Sequence, residues 1–256
     1  MKKKILVIVA VLVVLLIAGL VVAGLSLDGL VKRSVETVGP RFTKVDVKLD
    51  AVKLSLLSGG GEVNGLVIGN PEGFKTPHAI RVGSSRLVVQ PASLMSDKVV
   101  VRVVRVEAPE ITLEAGLNGT NLKKILNNLN ETTGGGKDTT ATPAPASNEP
   151  GKKLQVDDFL ITGAKLNLNL TGVAAAGITL PDIHLTNLGQ GPEGITGAEL
   201  MKRVLTEVER VAAKVAAEHA GDLVKGASGL VKGLAGTNSA AAEQLGKGIG
   251  DLFKKK

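Results

Sequence analysis

Apolar positions fall along this chain in distinct rhythms, and each rhythm predicts a different element. From Ile5 to Leu25 there is no rhythm at all. Val, Leu and Ile run on, interrupted only by Gly19, Gly24 and a few Ala, with no charge. Further on, Val45, Val47 and Leu49 alternate with Asp46, Lys48 and Asp50, and after Ala51 the phase slips by one to Val52, Leu54 and Leu56. Period-two alternation marks a strand with one buried face. The slip predicts a bulge or a change of sheet face. Glycines 59–61 and the Asn70-Pro71-Glu72-Gly73 run are turns that bracket a short strand over 63–68. Strand character returns at 79–82, at 86–90 and in the valine-rich 98–107, which Arg102 and Arg105 interrupt. After Pro109, Ile111 and Leu113 alternate with Thr112 and Glu114. Over 120–129 the period changes: Leu122, Ile125, Leu126 and Leu129 stand at i, i+3, i+4 and i+7, one face of a short helix.

Residues 132–153 carry Thr, Gly, Pro, Ser, Ala and Lys with no apolar period, the composition of a flexible linker. Beyond it, 154–161 and the clean alternation Leu166, Leu168, Leu170 read as strands, and Ile178, Leu180, Ile183 and Leu185 as another bent near Pro181. Thr196 and Glu199 have capping-box spacing ahead of a helix over 197–218. Its apolar stripe is Leu200, Val204, Val208, Val211 and Val215. After Gly221 the chain repeats Leu-Val-Lys-Gly at 223–226 and 230–233, a glycine-weakened amphipathic or disordered tail.

The expected fold is α+β. It has an N-terminal transmembrane helix, then a curved, mostly antiparallel β-sheet with one long and one short amphipathic helix, then a helical or disordered C-terminal tail. The divisions are a basic N-terminus (1–4), the membrane helix (5–25), a first β region (26–131), the linker (132–153), a second β segment with its helix (154–221) and the Gly-rich tail (222–256).

The 21 residues of 5–25 span roughly 30 Å as a helix, the thickness of a bilayer's hydrocarbon core. A cleavable signal peptide is the competing reading, but its apolar region runs about 7–15 residues. Lys2, Lys3 and Lys4 abut the N-terminal end, whereas the far flank begins Ser26, Leu27, Asp28. The positive-inside rule then leaves the N-terminus in the cytoplasm and the body across the membrane.

Composition narrows the chemistry. The 256 residues include no Trp, Tyr or Cys and four Phe, so aliphatic side chains fill the apolar spaces. Disulfides, thiolate metal sites and cysteine nucleophiles are excluded, and base-stacking on aromatic platforms, the basis of single-strand nucleic-acid binding, is disfavoured. The net charge of +7 is carried partly by the terminal lysines, including Lys254, Lys255 and Lys256, and suits solubility, topology or attraction to anionic headgroups. His78, His184 and His219 are far apart in sequence and none has a ligand-spaced partner. There is no G-x-S-x-G elbow and no P-loop lysine. Asp157-Asp158 is a carboxylate pair, but neighbours in a strand face opposite sides. No enzyme, metal or cofactor is expected.

One order of motifs stands out. A basic N-terminus and a membrane helix lead to an alternating strand and a glycine turn, then Leu66-Val67-Ile68-Gly69-Asn70-Pro71-Glu72-Gly73-Phe74. Ser93-Leu94-Met95, the valine strand, Ala108-Pro109-Glu110-Ile111-Thr112-Leu113-Glu114 and Asn118-Gly119-Thr120-Asn121-Leu122 follow. This order resembles the N-terminal region of bacterial AsmA-like proteins over about residues 1–130. It returns more weakly at 159–170 and 180–188. The resemblance implies an inner-membrane anchor with a periplasmic β-sheet groove, similar to bridge-like lipid-transfer proteins, and a role in phospholipid handling or envelope maintenance. The chain is short for a conduit: a dozen strands stack to roughly 58 Å. A module that shelters one lipid or assists a larger assembly fits its length better.

The expected lipid-facing residues are Val45, Val47, Leu49, Leu54, Leu56, Leu87, Val89, Val99, Val101, Val103, Leu166, Leu168 and Leu170. Membrane phospholipids are the expected partners, with other envelope proteins reached through the tail. Two alternatives remain: helix 197–218 seals this face into an ordinary core, or the chain is a non-catalytic structural protein of the envelope.

Overall fold

The computed structural model describes residues 28–55, 58–116, 119–133, 152–170 and 173–234. The expected membrane helix at 5–25, Leu56, most of the linker and the end of the tail lie outside the described residues. No helix among the described residues is long and apolar enough to cross a membrane.

The architecture is α+β: an 11-stranded mixed, mostly antiparallel sheet with three α-helices among the described residues. Helix α1 covers 28–43. Strands β1 (Val47–Lys48), β2 (Ala51–Leu54), β3 (Gly60–Ile68) and β4 (Ile80–Val89) follow. A 3₁₀ turn (Pro91–Met95) precedes β5 (Lys98–Glu107), β6 (Glu110–Gly116), β7 (Gly119–Thr120) and α2 (Asn121–Thr132). Then come β8 (Lys153–Thr162), β9 (Lys165–Leu170), β10 (Val173–Thr179), β11 (Ile183–Leu188) and α3 (Gly197–Leu234). Strands from both sides of the linker share the sheet, because β8 lies parallel to β5 and β9 parallel to β6. The two β segments are therefore one folded unit.

A crease crosses this sheet. β5 and β6 meet at Ala108, whose φ is 46°, β8 and β9 meet at Gly163, and β10 and β11 meet at Leu180-Pro181-Asp182. Backbone bonds continue across the line: Ala108 N–H donates to the Thr162 carbonyl, Lys165 N–H to Pro109, and Leu180 N–H to Ala164. In β3 the crease falls at Gly65, with φ 66°. A Cβ there would overlap the Asp50 carboxylate at 1.9 Å, so no larger residue fits.

The phase slip read from the sequence is this same crease. Leu49 N–H and Leu54 N–H both point off the sheet edge toward α1, while Asp50 N–H turns inward to the Asn64 carbonyl. Residues five apart share an orientation only if the strand has flipped by one. Val45, Val47 and Leu49 thus stay on the same face as Val52 and Leu54. Below the crease, α2 and α3 cover that face, and Ile111, Leu113, Leu166 and Leu168 pack with Leu122, Ile125, Leu129, Leu205, Val208 and Val211 in the main core. Above it, a smaller cluster of Val156, Leu188 and Ile195 lies beside the first turn of α3.

Candidate functional site

The sheet has one polar and one apolar face. On the polar face Arg102 pairs with Asp157 at 2.7 Å, and Asp158 takes hydrogen bonds from Arg105 and from His184, the latter at 2.6 Å. These pairs tie β5, β8 and β11 together. The hydrogen bond from Gln155, ahead of that from Arg102, holds the Asp157 carboxyl below the usual range, while those from Arg105 and then His184 do the same for Asp158. Each carboxylate has its own cation.

The structure corrects two readings here. Asp157 and Asp158 do not face opposite sides. The pairing of β5 with β4 shifts register at Arg102, and β8, in parallel register with β5, follows it. A bulge of this kind points both of its residues to one face. For the same reason Val103 leaves the apolar face: it stands opposite Val88, which is 43% exposed among the polar side chains. Val104 takes its place on the apolar face and packs with Val101 beside Val156. A third departure is that His184 does meet a carboxylate, across strands rather than along the sequence.

The apolar face is divided by the crease. Val45, Leu166 and Leu168 are 6%, 0% and 1% exposed and lie in the main core under the helices, so they are not lipid-facing in this structure. Val47 and Leu49 are likewise buried, and Gly39 of α1 approaches Val47 so closely that a Cβ would sit 3.0 Å from it. The side chain of Leu170 is outside the described residues. The valine stripe of α3 is what closes this half: Val208, Val211 and Val215 are buried, with Leu205, Ala212 and Ala216 added to the stripe expected from the sequence.

Above the crease the outcome differs. Leu54, Leu87, Val89, Val99 and Val101 are half-buried, and not one residue of β3 or β5 is fully buried. Val63 and Val104 join them. Gly61 sits between Leu54 and Leu87, where an added Cβ would come 2.7 Å from Leu87 and 2.8 Å from Leu54. The glycine leaves a dip flanked by two leucines. The helix contacts of α3 fall on β8, β10 and β11 and those of α2 on β6 and β7, which leaves this strip at the margin of the helical layer.

A hydrogen-bonded knot, which sequence reasoning missed, fixes the closed half. The Glu114 carboxylate accepts from the N–H groups of Lys75 and Thr76 and from the Thr76 hydroxyl, at 2.5–2.8 Å. Asn121 donates to the Asn70 side chain and to the Thr112 carbonyl, and accepts from Glu114 N–H and Leu122 N–H. Asn70 donates to the Thr76 carbonyl and hydroxyl. Burial pushes the Glu114 carboxyl up, and the three bonds from Thr76 and Lys75 outweigh it, holding the group below its usual value. The signal was present in the sequence as two motifs, Asn70–Phe74 and Glu114–Leu122, which the fold brings into contact. Phe74 lies against Gly116, where a Cβ would come within 3.1 Å of the ring.

Among the described residues no cluster of three or more His, Asp or Glu is arranged to hold a metal. A surface cleft of about 270 Å³ lies between α3 and the β10–β11 corner, lined by Thr179, Pro181, Arg210, Lys214 and His219 among others. It contains none of the expected site residues.

No family model, curated protein or solved structure matches the chain.

Proposed function

We propose that the chain is a membrane-tethered envelope protein of the AsmA-like kind that shelters the acyl part of a phospholipid on the apolar strip above the crease. The observation that carries this reading is the strip itself. Leu54, Val63, Leu87, Val89, Val101 and Val104 form an aliphatic surface on neighbouring strands, all of it half-buried, whereas below the crease the same face carries the fully buried Ile111, Leu113, Leu166 and Leu168. Apolar surface left partly open to water across several strands is costly and suits an apolar partner. Aliphatic walls without aromatic rings suit a flexible acyl chain. The closure below the crease limits the strip to one or a few chains, so the proposed role is holding or handing over a lipid rather than conducting a stream of them. The tether is the apolar run 5–25, with the N-terminus cytoplasmic and the body periplasmic in a bacterial inner membrane.

Two features support the family assignment in this proposal: the order of motifs, and the way the two most characteristic of them meet in the Glu114–Asn121 knot. The proposed partners are membrane phospholipids. No catalytic step is proposed.

Organic extraction and mass spectrometry of the gently purified full chain tests the reading. Bound phospholipid near one per chain is expected, and Leu87→Glu, which puts a charge beside Gly61, abolishes it. A lipid-free protein, or lipid retained by Leu87→Glu, overturns it.

A second reading rests on α3. The buried stripe of this helix ends at Ala216 among the side chains described, which run to His219, and the helix continues to Leu234. That extension is the natural docking element for another envelope protein. Truncation after Gly221 removes binding of such a partner and leaves lipid binding unchanged.

A further inference from the structure

The end of the body that faces the membrane can be worked out from the chain's own tethering, if the 5–25 run is the anchor proposed above. Asp28 follows Leu25 by three residues, which fully extended reach about 10 Å. The headgroup layer beyond the hydrocarbon core is about 5–7 Å thick on each side. Asp28 therefore lies in or just outside that layer. Its carboxylate accepts a hydrogen bond from Leu54 N–H at 2.9 Å, which fixes the last residue of β2 at the same height.

The neighbouring strands then set what else is there. Leu54 pairs with Gly61 and Gly61 with Leu87, so β4 continues past this level through Val89 and Gln90 into the 3₁₀ turn. Helix α1 runs from Asp28 back along β2 and β1, so with the strands aligned to the membrane normal the body lies on the far side of Asp28, and the rise of about 3.3 Å per residue carries β4 on to Pro91 beyond it, on the side of the bilayer. Met95 closes the turn and is 93% exposed, the most exposed large apolar side chain among the described residues. Around it, Lys152 donates to the Leu94 carbonyl, and Lys98 to Gln155 and the Gly191 carbonyl. Asp97 and Glu193 are the exposed carboxylates at the same end.

We infer that this end, the Pro91–Met95 turn with Lys98 and Lys152, is seated in the phospholipid headgroup layer of the anchoring membrane. Met95 and Leu94 dip toward the acyl boundary and the two lysines meet headgroup phosphates, the amphipathic arrangement that binds interfaces. The apolar strip opens at this same end through Leu54, Val89 and Val99. An acyl chain leaving the bilayer thus meets Met95 before it meets Leu87. The opposite end carries the Asn70–Gly73 turn and the far part of α3, and points away from the membrane.

The absence of cysteine makes a single label unique. The full-length chain is reconstituted in vesicles of phosphatidylethanolamine and phosphatidylglycerol, with a fluorophore on Met95→Cys or on Glu72→Cys, and quenched by a nitroxide on the lipid headgroup. The label at 95 is expected to lose most of its emission and the label at 72 to keep it. Equal quenching at the two sites, or greater quenching at 72, overturns the inference while leaving the tether intact. A chain that fails to float with the vesicles removes the tether and this inference with it.

Discussion

Glu114 shows how a single carboxylate can decide local structure. It is 7% exposed, and its bonds to the Lys75 and Thr76 amides hold the loop after Phe74 against β6. Hydrogen bonds to a charged group contribute about 1.5–3 kcal/mol each, net of the water bonds they replace. Glu114→Gln is expected to lower stability at neutral pH by about 1–3 kcal/mol, read from denaturant unfolding. The pH dependence has a definite sign. The folded-state pKa lies below the ordinary 4.5, so the contribution is complete above that value and is lost as pH falls through the folded one. The gap between wild type and Glu114→Gln should therefore narrow on acidification below about pH 4.5; a constant gap would mean the carboxylate is not ionised in the fold. At the same scale, Gly61→Val should push Leu54 and Leu87 apart and reduce bound lipid more than it reduces stability.

At the level of elements, α1 and α3 do different work. Strands β1 and β2 form a sheet edge, and a bare edge invites pairing with another chain. Helix α1 covers it with side chains: Asp28 and Glu36 accept from Leu54 and Leu49, and Lys32 donates to the Asp50 carbonyl. Asp28→Ala is expected to speed hydrogen exchange at the Leu54 amide and leave Ile111 and Leu113 unchanged. Helix α3 supplies core instead. Leu205→Ala should cost about 2–5 kcal/mol through the cavity it leaves, whereas Leu87→Glu, on the half-buried strip, should change stability less. Much of this layer was readable in advance. The capping box forms as spaced, with Glu199 accepting from Thr196 N–H and Thr196 Oγ1 from Glu199 N–H, and Leu122, Ile125 and Leu129 are the buried face of α2. Helix α1 was not read from the sequence, although Val31, Val35, Val38 and Phe42 keep a helical period. The continuation of α3 to Leu234 is the helical one of the two readings left open for the tail, with Gly226, Gly229 and Gly233 inside it.

For the whole molecule, the sequence revealed which residues alternate but not which strands meet. The parallel pairings of β8 with β5 and β9 with β6 join residues 55 apart in the chain, and no local pattern carries that. Nor could alternation place Val103, because the bulge at Arg102 shows itself only through pairing with β4. The crease was half legible: its trace at Ala51 was visible, but its continuation through Gly65, Ala108 and Gly163 required the register. This bend decides function in the present account, since it separates a sealed half from an aliphatic strip that faces the same way.

The most direct test of that division is photo-crosslinking with a phospholipid bearing a diazirine near the end of one acyl chain, added to the full chain in vesicles and mapped residue by residue. Adducts are expected on Leu87, Val89, Val101 and Val104 and not on Val88, Val103, Leu166 or Leu168. Adducts spread evenly over both faces, or none above the crease, would contradict it.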